Sequence, residues 1–83
     1  MKKDKNGNAY QDIGNIRITL VDKSTRKSDK NWSGKDTLRF QSYKDEDNSS
    51  LHLGAEIPLE NNKTIIELIE VLCKLYAQNL DKI

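Results

Sequence analysis

Eighty-three residues, 33% charged and 35% hydrophobic, make one small domain. A chain this short buries only about 60% of its unfolded surface, so a lone core is marginal and oligomerisation is the common remedy. The single cysteine, Cys73, excludes an intrachain disulfide, and with His52 as the only histidine no cluster of recognised metal-ligand spacing arises. The net charge of +1 divides unevenly: residues 1–35 carry nine Lys/Arg against four acids, residues 36–83 five against nine. The basic half suits nucleic acid, while the acidic half opposes a uniformly coated DNA-binding surface. No apolar run would span a bilayer, and the basic start has no apolar stretch after it, so neither membrane nor signal peptide is expected. The unpaired cysteine fits a reducing compartment, and the expected location is cytoplasmic.

The chain opens on a Lys/Asn/Gly-rich stretch, and residues 1–14 are expected to form a flexible arm ahead of one β-β-β-α domain, residues 15–83. Residues 15–21 alternate as a strand, with Ile16, Ile18 and Leu20 inward and Arg17 and Thr19 outward. Residues 22–35 form a long polar connection holding the only tryptophan. Trp32, flanked by Lys30 and Lys35, suits either stacking on a base or capping the edge of a small core. Residues 37–43 alternate again, Leu38 and Phe40 on one face and Arg39, Gln41 and Tyr43 on the other. A row of Arg, Gln and Tyr suits a nucleic-acid platform, because Tyr stacks on bases while Arg meets phosphate; an ordinary solvated strand looks the same.

An acidic turn, residues 44–50, leads to a strand over residues 51–59. There Leu51, Leu53, Ile57 and Leu59 are expected to share a face, with a bulge at Gly54 and Pro58 restricting that end to an edge. The helix begins at a Thr64-Ile65-Ile66-Glu67 capping box, or one turn earlier at Asn61 or Asn62. Ile65, Leu68, Ile69, Leu72, Leu75 and Tyr76 form one apolar stripe. Ile66, Val71 and Cys73 widen it beyond what a three-stranded sheet covers, which predicts a helix-mediated homodimer through Ile66, Ile69, Val71, Cys73 and Tyr76. The expected class is α+β: a small antiparallel sheet of three to four strands, then one C-terminal amphipathic helix.

This order, with Thr37-Leu38-Arg39-Phe40-Gln41-Ser42-Tyr43, then Ala55-Glu56-Ile57-Pro58-Leu59, then a helix from about Asn62, resembles the positive-cofactor-four-like coactivators. These are single-stranded-DNA-binding proteins related in architecture to the Whirly fold. The resemblance covers roughly residues 15–78 and is one of pattern. It implies a curved sheet backed by a helix, a dimer formed through the helices, and single-stranded DNA laid over the exposed strand faces. Arg17, Arg39 and Lys44 would then meet phosphates, and Tyr43 and Trp32 would stack. The chain departs from the family at Leu53-Gly54-Ala55-Glu56, where an acid stands in place of a cation, and in lacking an aromatic at the helix start.

Enzymatic chemistry finds little to work with: His52 is the only imidazole, and the glycines are scattered at 7, 14, 34 and 54 with no phosphate loop. No cofactor is expected. Two readings follow. One is single-stranded nucleic-acid (DNA, or RNA) binding through Arg17, Lys30, Trp32, Lys35, Arg39, Gln41, Tyr43 and Lys44, in a transcription or replication accessory factor. The other is a non-enzymatic module that binds a protein partner through its helix or a sheet edge.

Overall fold

A computed structural model describes residues 1–25 and 34–80. Its strands are β1 (Lys2–Lys3), β2 (Ala9–Ile13), β3 (Ile16–Val21), β4 (Thr37–Ser42) and β5 (Ala55–Pro58), followed by one helix, α1 (Asn62–Gln78). The strands pair in chain order, each antiparallel to the next, so the sheet is an up-and-down meander with a helix appended. Among the described residues, no helix is long and apolar enough to cross a membrane.

The sheet has five strands where three to four were expected, because residues 1–14 supply β1 and β2 rather than a free arm. Ile13 pairs with Ile16 across the two-residue turn Gly14-Asn15. Gly14 takes φ +58°, which a tight hairpin of primed type demands and glycine supplies without strain. The β1–β2 turn is closed by Asp4, whose Oδ1 accepts from the backbone N–H groups of Asn6 and Asn8, both at 2.9 Å. Buried Asn8 then ties the hairpin to the end of β3: its Oδ1 accepts from Asp22 N–H at 2.9 Å, and its amide donates to Thr25 Oγ1 at 3.2 Å.

The alternation expected for β3 and β4 is observed. Ile18 lies opposite Phe40 and Leu20 opposite Leu38, while Arg17 faces Gln41 and Thr19 faces Arg39. The fourth expected strand is broken. Tyr43 pairs with Leu51 and Phe40 with Ala55, so three steps on one side oppose four on the other. The extra residue falls between Leu51 and Ala55, and a one-residue slip turns every later side chain to the opposite face. Leu51 therefore joins Tyr43 on the polar face, Ile57 lies opposite Leu38 on the apolar one, and Leu53 is fully exposed. Gly54 passes so close to β4 that a Cβ there would collide with the Phe40 carbonyl.

Helix α1 starts at Asn61, whose Oδ1 accepts from Lys63 N–H at 2.9 Å, one turn before the Thr64 box. Beyond its first two turns it does not back its own sheet. Thr64, Ile65 and Leu68 are half-buried, but residues 69–78 are all exposed. Among the described residues the only buried hydrophobic side chains are Val21 and Tyr43, joined by the polar Asn8, Thr19 and Thr37.

Candidate nucleic-acid interface on the polar sheet face

The polar face carries Tyr10 and Asp12 from β2, Arg17, Thr19 and Val21 from β3, Thr37, Arg39 and Gln41 from β4, and Glu56 from β5. Tyr43 sits at its end and is buried, 7% exposed, where an outward stacking surface was expected. Its phenol donates to Asp12 Oδ1 at 2.7 Å and accepts from Arg17 Nε–H at 2.9 Å. Burial first, and the hydrogen bond to Asp12 second, push the phenol pKa above its ordinary value, against the pull of Arg17. Tyr43 is thus a framework residue, and no base can lie on it while the network holds.

Arg17 is the hub. Its Cζ lies 3.8 Å over the Tyr10 ring and 5.2 Å from the Tyr43 ring, and Nε also reaches Asp12 Oδ1 at 3.4 Å. Burial works against its charge, but the hydrogen bond to Tyr43, the fields of Tyr43 and Tyr10 and the Asp12 contact outweigh it, so the guanidinium pKa rises. Both of its hydrogen bonds to described residues leave from Nε, and its Nη groups are used by neither Asp12 nor Tyr43. Arg39 pairs with Glu56 at 3.5 Å, and Thr37, wholly buried, donates to the same carboxylate at 2.6 Å.

Of the remaining predicted residues that are described, only Gln41 stays beside Arg17 and Arg39. Gln41 is half-buried and donates to the His52 carbonyl at 3.2 Å. Lys44 is exposed in the acidic turn. Lys35 pairs with Glu60 at 2.7 Å near the start of α1, away from Arg17. Lys30 and Trp32 lie outside the described residues. The helix positions Ile66, Ile69, Val71, Cys73 and Tyr76 are all exposed.

The N-terminal hairpin adds a wall that the sequence reading missed. Together with the strands it encloses a groove of about 480 Å³, whose lining includes Lys3, Lys5, Tyr10, Arg17, Arg39 and Gln41. Asp4 also lines it, with its carboxylate turned to the backbone of its own loop. Among the described residues Lys3 and Lys5 enter no ion pair. The overlooked signal was the alternation of residues 9–13 ending in Ile-Gly-Asn-Ile, a two-residue hairpin pattern. Comparisons with protein-family models, curated proteins and solved structures return no match.

Proposed function

We propose that this protein binds single-stranded DNA along the groove between its N-terminal hairpin and the polar sheet face, as an accessory factor in transcription or replication. The observation that carries the reading is the convergence of four cations, Lys3, Lys5, Arg17 and Arg39, with the Tyr10 ring in one polar groove. Lys3 and Lys5 meet phosphates. Tyr10, pre-oriented by the stacked guanidinium of Arg17, offers the ring against which an unpaired base packs. Arg39 contributes less than its position suggested, because Glu56 neutralises part of its charge.

The test is fluorescence anisotropy with labelled single-stranded and duplex DNA of equal length, titrated with salt. Expected are preference for the single strand, steep weakening with salt, and a log–log slope that falls by about 0.7 for each lysine replaced in Lys3→Ala and Lys5→Ala. Tyr10→Ala should weaken binding by about 1–3 kcal/mol per stacked base. Absence of binding at low salt would end this reading. It would favour the second one, a protein-interaction module, which the uncovered apolar surfaces support.

A further inference from the structure

Two apolar surfaces of this chain stay exposed among the described residues. On the sheet, Ile13, Ile16, Leu20 and Ile57 remain 38–64% exposed, and on α1, Ile66, Ile69, Val71, Leu72, Leu75 and Tyr76 remain 50–58% exposed. The sheet surface is hollowed into a groove of about 330 Å³ whose lining includes Met1, Ala9, Ile13, Ile18, Leu20 and Leu38, and the helix surface is a broad apolar band of branched and aromatic side chains that runs from Val71 round to Ile66.

Among the described residues the chain does not bring these two surfaces together on itself. Only Leu59, Glu60 and Asn61 join β5 to α1, and the helix leaves the sheet after its second turn. Its remaining turns, and the sheet end at Ile13 and Ile16, are left bare. We propose that a second copy supplies the cover: α1 of each chain lies across the apolar sheet face of the other, in a reciprocal two-fold exchange. The expected seam between helices becomes a helix-on-sheet interface. This proposal stands independently of DNA binding.

Three considerations select a second copy over another partner. Each chain carries both surfaces, so one two-fold axis satisfies both at once. A foreign protein would have to cover the sheet and the helix separately. Ten large apolar side chains, each about half exposed, leave several hundred Å² per chain, the scale of the roughly 800 Å² per partner that a stable interface buries. Finally, a chain whose buried hydrophobics among the described residues are Val21 and Tyr43 alone lacks the burial on which single small domains rely.

Sedimentation equilibrium of the full chain at tens of micromolar is the first measurement, with a dimer expected; a clean monomer overturns the proposal. The variants Ile16→Glu on the sheet and Leu72→Glu on the helix should each weaken association by about 30-fold or more. Loss of the dimer with Leu72→Glu alone would mean a helix–helix seam and overturn the exchange. If a variant fails to fold, wild-type chain decides. Copies labelled with heavy isotope are mixed with unlabelled ones and cross-linked. Mixed-isotope peptide pairs joining α1 to the sheet are expected, and pairs joining only α1 to α1 would overturn it.

Discussion

The two faces of the sheet invert the usual division of labour. The apolar face, where Ile16, Ile18, Leu20, Leu38 and Phe40 alternate inward by pattern, is the more open one in the single chain, with Ile16 42% and Leu20 43% exposed. The polar face holds the well-buried positions: Thr19, Val21, Thr37 and Tyr43. The polar face closes through local means, since cross-strand neighbours supply hydrogen bonds and ring contacts at short range, as in the Tyr43–Asp12–Arg17 network. The apolar face has no such resource and needs a second layer to cover it. One face is closed by cross-strand contacts and the other stays open in the single chain.

The sharpest way to break this comparison is Ile16→Ala. Under the cover of a second copy it should cost about 2–4 kcal/mol in chemical denaturation. On a face that stays bare in solution the same change should cost under about 0.5 kcal/mol. Gly54→Ala comes next: a methyl group aimed at the Phe40 carbonyl forces β5 away from β4, with about 1–3 kcal/mol lost and a lower melting temperature. On the polar face, Tyr43→Phe keeps the ring but strips Asp12 and Arg17 of their shared partner. The expected loss is about 1–2 kcal/mol.

Tyr43 also sets a pH signature. Its folded-state pKa is raised, so the neutral phenol is the form the fold prefers. Its contribution is fully present below the ordinary tyrosine pKa of about 10 and is lost as pH rises through the folded value. Urea midpoints should therefore fall at strongly alkaline pH in wild type and fall less in Tyr43→Phe; equal declines would remove the network from the account. The smallest effect belongs to Lys35→Ala, which breaks an exposed pair with Glu60 and should shift stability by no more than about 0.5 kcal/mol.

Much of the fold was legible from pattern. The strand alternation over residues 15–21 and 37–43, a helix start within one turn of the Thr64 box and the glycine-associated bulge before Ala55 depend on neighbours in sequence, and the structure contains all of them, with Asn61, the alternative cap, as the one used. The site was less legible. Tyr10, Lys3 and Lys5 escaped because a Lys/Asn/Gly-rich start looks like an arm until the hairpin at Gly14 brings it back against β3. Arg17 and Arg39 were found, but their partners Asp12 and Glu56 lie on other strands and reach them only through register.

The sequence by itself determined which residues share a face, since side-chain parity is a local property of an extended chain. It also determined the surplus of apolar surface on α1, which follows from helical spacing. Only the tertiary structure decided that Tyr43 is buried, that the N-terminal hairpin walls a cationic groove, and that α1 does not back its own sheet beyond its first two turns. Burial is a long-range event: it depends on which surface arrives opposite, and no local pattern carries that information.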